Sequence, residues 1–223
     1  MIAINIDSEI KEKVKPFALG VIECNIRNSE PSETLWELMN KEIALLKEKI
    51  QFDSIKENPA IKATREAYKA CGKDPSRYRP SAEALCRRIF HDMDLYRINT
   101  VVDLINLVSF RYGYSIGGFD RNKIKGDVLV LGIGKADEPF EGIGRGLLNI
   151  EGLPVYRDMV GGIGTPTSDH ERTKLTIGTT RLLMIINGYF GINGLGECIT
   201  YSKELLTKFA AATEIEEKII EIK

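Results

Sequence analysis

The chain reads as an α+β protein, and three observations carry that reading. Helical periodicity dominates residues 32–112, where apolar side chains recur at intervals of three and four. Residues 113–166 then hold 13 of the 20 glycines, separated by short apolar runs that fit strands and hairpins. Helices gathered ahead of strands, instead of alternating with them, favour α+β over α/β. No internal repeat or low-complexity linker divides the sequence, so one domain over residues 1–223 is expected, with strands and a helix in its N-terminal portion, residues 1–60.

In order, Ile2, Ile4 and Ile6 alternate with polar residues, the pattern of a half-buried strand, and Phe17 to Ile26 forms a second. Ser32 caps a helix that runs to about Phe52. Asn58-Pro59 opens another helix to Ala70, stopped at Cys71-Gly72, and Ser81 starts a third that ends near His91. The most apolar helix follows. Ile98, Val101, Val102, Leu104, Ile105, Leu107, Val108 and Phe110 leave almost no solvent face, so it is a buried helix, closed by Gly113. Residues 115–120 read as strand or turn, 127–133, 147–150, 153–159 and 180–189 as strands, and Cys198 to Ala212 as a last helix. The tail 214–223 fits helix or strand.

Composition removes several function classes. Lysine plus arginine number 31 against 32 carboxylates, so no global field draws the chain to a polyanion, and no DNA partner is expected. No run approaches the ~20 apolar residues of a membrane span, and the N-terminus lacks the basic-then-apolar pattern of a signal peptide. Four scattered cysteines without a Cys-x-x-Cys pair fit a reducing, cytoplasmic setting. With only two histidines, neither a metal site nor a cofactor is expected.

Four constellations stand out against that background. Asn99, Asp103 and Asn106 form a polar stripe on the apolar helix, and buried polar groups need partners or a ligand. The segment Gly161 to Thr173 gathers glycine-freed amides, the hydroxyls of Thr165, Thr167 and Ser168, the carboxylate of Asp169, and His170. Such a loop suits a carboxylate, phosphate or oxyanion. A lone loop histidine is commonly incidental, and His91 reads as a helix C-cap. Residues 62–88 carry eight cations against three carboxylates, and Lys73, Arg77, Tyr78, Arg79, Arg87 and Arg88 have the chemistry of a single-stranded RNA surface. The alternative is a solvated surface whose arginines pair locally. The glycines at 132–134 and 142–146 match no nucleotide fingerprint and fit hairpin turns. No nucleophile–base pair is legible, so the catalytic residues stay unassigned.

Several stretches nevertheless resemble a known family. Val101-Val102-Asp103-Leu104-Ile105-Asn106 followed by Tyr112 to Asp120, then Lys125-Gly126-Asp127-Val128, Asp137-Glu138 and Met159-Val160-Gly161-Gly162, are similar to the B3/B4 domain of the phenylalanyl-tRNA synthetase beta subunit. Gly72 to Ser81 with Glu83-Ala84-Leu85, and Asp169-x-Glu171-Arg172-Thr173-Lys174, look like its free-standing branch. The resemblance covers residues 60–212 and implies a β-sandwich-like core flanked by helices. It also implies a stand-alone protein that does not itself activate amino acids, and a tRNA or aminoacyl-tRNA partner. In the synthetase this domain hydrolyses mischarged tRNA. Of the editing positions, Asn106 matches, Gly117 stands where the family has histidine, and Ile186 or Asn187 stands where it has glutamate. The expected pocket is therefore built from Asn99, Asp103, Asn106, Gly117, Gly161, Gly162, Thr165, Thr167, Ser168 and Asp169. Trans-acting hydrolysis of a mischarged aminoacyl-tRNA, or its binding, is the leading functional expectation. The alternative is a non-catalytic module for an amino acid, a small metabolite or RNA.

Overall fold

A computed structural model describes residues 1–222. Two four-stranded sheets face each other, and helices cover the outer face of one of them. The strands are β1 (Ala3–Ile6), β2 (Phe17–Asn25), β3 (Ile116–Asp120), β4 (Val128–Ile133), β5 (Glu141–Gly142), β6 (Gly146–Leu147), β7 (Pro154–Arg157), β8 (Gly162–Gly164), β9 (Arg181–Gly188) and β10 (Thr213–Ile222). The helices are α1 (Ser8–Lys13), α2 (Glu33–Lys49), α3 (Pro59–Ala70), α4 (Ser81–Phe90), α5 (Thr100–Tyr112) and α6 (Leu195–Ala210). One sheet has the order β1-β4-β7-β8, the other β10-β2-β9-β3, and β5 and β6 make a small hairpin. Only β1 with β4 is parallel among the strand pairs of the two large sheets.

Strand periodicity explains the layers. Along β2, Phe17, Leu19 and Val21 point to the facing sheet, where they meet Leu129, Leu131, Tyr156 and Ile163. The intervening Ala18, Ile22 and Cys24 point the other way, onto the helices. Strand β9 divides in the same manner, with Leu183 and Ile185 in the sandwich and Leu182, Met184 and Ile186 under the helices. Each such buried aliphatic contributes roughly 1.5–3 kcal/mol. Gly20 lets α6 sit close on β2, because a Cβ there would lie 2.9 Å from Ile199 Cδ1. The expected α+β class and the sandwich with flanking helices are what the chain adopts.

Helix α5 lies at the centre of the helical layer, packed on α2, α4 and α6. Its caps are those the sequence advertises. Asn99 accepts from the Val102 amide at 3.0 Å, and Gly113 closes the helix with φ +80°. Ser32 caps α2 through the Leu35 amide, and Asn58 caps α3 through the amides of Ala60 and Ile61.

Three local expectations change. The run 147–150 leaves its strand after Leu147, since Leu148 and Ile150 turn inward against Tyr68 and Phe140. The ambiguous tail is strand β10 through Ile222, paired antiparallel along β2, and Lys223 lies outside the described residues. Glycines 161–164 are not a binding loop: Gly162–Gly164 form β8, where Tyr156 pairs with Gly164. The four cysteines are free and buried. Among the described residues, no helix is long and apolar enough to cross a membrane, and no cluster of three or more histidine, cysteine, aspartate or glutamate side chains could hold a metal.

Candidate functional site: an apolar cavity beside a cationic groove

Between α4, α5 and β3 lies a cavity of about 380 Å³. Its walls are mostly aliphatic, from Leu85, Val102, Ile105, Ile116 and Leu175, with the half-exposed Ile98 and Ile143 also on its lining. Its polar groups are few: Ser81, Asn106, Ser109, Thr165, Ser168, Asp169 and Lys174. That ratio suits a small organic ligand oriented by a handful of polar contacts.

The polar stripe on α5 splits in three. Asn99 is the N-cap, not a residue of the helical surface, and its Oδ1 also accepts from Asn28 Nδ2 at 2.9 Å. Asp103 is wholly buried and turned away from the cavity; it accepts from Trp36 Nε1 at 2.8 Å and from the Ile98 amide at 3.0 Å. Both residues are structural. Asn106 alone of the three lines the cavity, and its side chain meets no hydrogen-bond partner among the described residues.

Opposite it, the 165–169 turn presents Asp169. Thr165 Oγ1 accepts from the amides of Thr167 and Ser168 at 3.2 and 3.1 Å, a hydroxyl-closed turn. The chain then doubles back so that Asp169 bridges Gly164, and the His170 amide donates to the Ile163 carbonyl at 2.8 Å. Asp169 Oδ2 accepts from the Gly118 amide at 3.1 Å. Glycines at 164 and 117 flank this carboxylate, and only the first leaves room that a side chain would take from it. A Cβ at Gly164 would stand 2.9 Å from Asp169 Oδ1, and one at Gly117 would stand 3.5 Å away while running into Phe119. Burial pushes the Asp169 carboxyl up to about 7, with the Gly118 N–H pulling it back down. No cation pairs with it among the described residues.

His170 plays no part in the cavity. Its Nδ1 accepts from the Arg172 amide at 3.0 Å, and its ring stands edge-on to Phe140. Burial and the neighbouring Arg172 lower its pKa, which keeps it a neutral cap. Arg172 forks onto Asp158, 2.9 Å to each carboxylate oxygen, and fixes the segment in place. Thr167 turns from the cavity to Tyr68, whose hydroxyl is 2.8 Å away. Gly117, Gly161 and Gly162 likewise do not line it. Gly118 does, one residue beyond the position that resemblance singles out. Asn187, on the strand where the family has its glutamate, accepts from the Tyr156 hydroxyl at 2.6 Å inside the sandwich.

The basic segment also divides. Lys73 is buried, donates to the Asn149 carbonyl at 2.9 Å and sits 3.7 Å over the Tyr78 ring. Arg87 pairs with the fully buried Glu83 at 2.8 Å, as does Arg65 at 2.8 Å, with Arg79 at 3.6 Å. Arg88 donates to the Asp94 carbonyl at 2.6 Å and lies over Tyr96. Lys73, Arg87 and Arg88 are thus each tied into the fold, Arg87 by a carboxylate and Lys73 and Arg88 by a backbone carbonyl and an aromatic ring. Arg77, Tyr78 and Arg79 instead line a second groove of about 530 Å³, joined by Arg145 from the β5–β6 hairpin. Arg77 and Arg145 are exposed, without carboxylate partners among the described residues. Thr165 lines both groove and cavity, so the two adjoin. Ser81, Gly118 and Lys174, all within the family-like motifs but not singled out as site residues, complete the cavity, and Arg145, which no motif marks, completes the groove.

No curated protein matches the chain. Among solved structures, an N-terminal fragment of the phenylalanyl-tRNA synthetase beta subunit from Pyrococcus horikoshii is similar, with a TM-score of 0.53 at 13% identity. The match covers 97% of this chain and 53% of the fragment, so the chain spans about half the length of that relative. At this identity the likeness is one of fold. The B3/4 domain family model matches residues 63–209, which takes in α4, α5, β3 and the turn that presents Asp169. The motifs of the helix, the glycine-rich turns and the Asp169-to-Lys174 segment therefore share one origin, and the chain belongs to the B3/4 domain family.

Proposed function

We propose that the protein binds the aminoacylated end of a tRNA, with the amino-acid portion in the apolar cavity and RNA phosphates on the cationic groove, and that it hydrolyses the ester. One observation carries this reading: an amino-acid-sized apolar cavity and a groove with uncompensated arginines share Thr165 as a common wall. A ligand that is apolar at one end and polyanionic at the other fits that pair. The fold likeness to a phenylalanyl-tRNA synthetase subunit supports an RNA ligand. Ester hydrolysis needs a held water and a donor for the developing oxyanion, with no side-chain nucleophile required. The unpartnered Asn106 amide supplies a donor of the right type. The test is deacylation of a panel of mischarged tRNAs under multiple turnover. Release above the uncatalysed rate with at least one of them is expected; no release with any tRNA overturns hydrolysis, and equal affinity for charged and uncharged tRNA overturns the assignment of the cavity.

A second reading is favoured by Asp169 and Lys174, a carboxylate without a counter-ion and an ammonium shared with Glu171, which both line the one cavity. A free zwitterionic amino acid would then be the ligand, without RNA. Salt separates the two, since phosphate contacts weaken steeply with ionic strength and a buried small-molecule contact does not.

A further inference from the structure

Of the buried and half-buried carboxylates among the described residues, Asp103 and Asp169 have no salt bridge, and only Asp103 has both oxygens hydrogen-bonded, to Trp36 Nε1 and the Ile98 amide. Glu23, Glu83, Asp158 and Glu138 are buried or half-buried, and each faces an arginine. Asp169 faces none, and the nearest ammonium on the cavity lining, Lys174 Nζ, is paired with Glu171 at 2.5 Å. One of its oxygens is spent on the Gly118 amide, and Oδ1 is left without a donor in a cavity whose remaining walls are largely aliphatic. A half-buried carboxylate without a counter-ion, set among aliphatic walls, carries a desolvation cost. The backbone nevertheless leaves room beside it at Gly164, where a Cβ would lie 2.9 Å from Oδ1.

We propose that Asp169 Oδ1 is the subsite for a primary ammonium, so that the cavity selects ligands carrying a free α-amino group beside an uncharged aliphatic side chain. The inference rests on the aminoacyl reading above and adds to it a rule of exclusion: N-acylated esters, and esters lacking the amine, are rejected. The aliphatic wall formed by Val102, Ile105 and Leu175 takes the side chain, and the Gly118 amide keeps the second carboxylate oxygen aimed. An incoming ammonium would supply the missing counter-charge and draw down the carboxyl that burial now holds near neutrality. Asp169 is a specificity residue in this scheme, and bond breaking is left to the water and Asn106.

Three probes test it by calorimetry: leucine ethyl ester, N-acetyl-leucine ethyl ester and the ethyl ester of 4-methylpentanoic acid. The amine-bearing ester is expected to bind about tenfold or more tighter than the other two, the scale of one charge-assisted hydrogen bond. Asp169→Asn is expected to level the series. Equal behaviour of the three with the wild-type protein, absence of binding included, overturns the proposal without any variant. Retention of the preference by a folded Asp169→Asn protein overturns it as well. These small esters carry no RNA, so the ammonium rule can fail while charged tRNA still binds better than uncharged, and the tRNA reading can fail while the ammonium rule stands.

Discussion

The indole nitrogen of Trp36 donates to Asp103 at 2.8 Å, and this buried bond ties α2 to α5. The other oxygen of Asp103 accepts from the Ile98 amide, so the carboxylate fixes both the entry of α5 and its neighbour. Burial raises the Asp103 pKa, while the Ile98 and Trp36 donors oppose the shift. Replacement by alanine strands two buried donors at ~1–3 kcal/mol each. Asp103→Ala is therefore expected to lose about 2–4 kcal/mol in urea denaturation. Binding in the cavity should survive wherever the variant is folded, because Asp103 does not line it.

That bond also shows where sequence reading succeeds and where it stops. The alternation in β2 and β9 and the caps at Ser32, Asn58 and Gly113 are local signals, and the chain obeys them. The stripe of Asn99, Asp103 and Asn106 is equally visible, but its partners are not. Trp36 and Asn28 lie about 70 residues upstream, and only the packed fold brings them to Asp103 and Asn99. Arg145 is a parallel case, reaching the groove from a hairpin far outside the basic segment. The tail is ambiguous in sequence because β10 is a sheet-edge strand with no fully buried residue among its ten, which leaves no strong period.

The groove yields a salt test. Arg77 and Arg145 have no internal partners among the described residues, so their removal costs little stability. Where each arginine neutralises one phosphate, Arg77→Ala with Arg145→Ala should reduce the slope of log affinity against log salt by about 1.4 for single-stranded RNA. Arg87→Ala should act differently, since it breaks an ion pair with the fully buried Glu83 and lowers stability first. Filter binding across a salt series, beside thermal melts, checks both.

Gly118 supplies a steric test of the cavity itself. A Cβ there would lie 2.5 Å from Ile105 Cδ1 and 3.0 Å from Leu175 Cδ1, both ends of flexible side chains. Gly118 and both of those side chains line the cavity, so Gly118→Val crowds it from inside. Overpacking costs roughly 1–3 kcal/mol. Loss of ligand binding, with the protein still folded by circular dichroism, is the expected result. Unchanged affinity would place the ligand elsewhere.

Asp169 should leave a signature in stability against pH. Its carboxyl titrates at about 7 when folded, against an ordinary value of 3.8. Well below pH 3.8 both folded and unfolded chains hold the proton, and the burial costs no ionisation energy. Between the two values the unfolded chain releases the proton and the folded chain keeps it, so stability falls as pH rises, by an amount on the order of 4 kcal/mol at neutrality and above. Asp169→Asn removes the ionisation and should melt increasingly above the wild-type protein from pH 5 to pH 8, with the gap level beyond that. Thermal melts of the pair across that range provide the measurement. A gap independent of pH would mean that the carboxylate is already compensated in the free protein, and the ammonium would then have no unmet charge to answer.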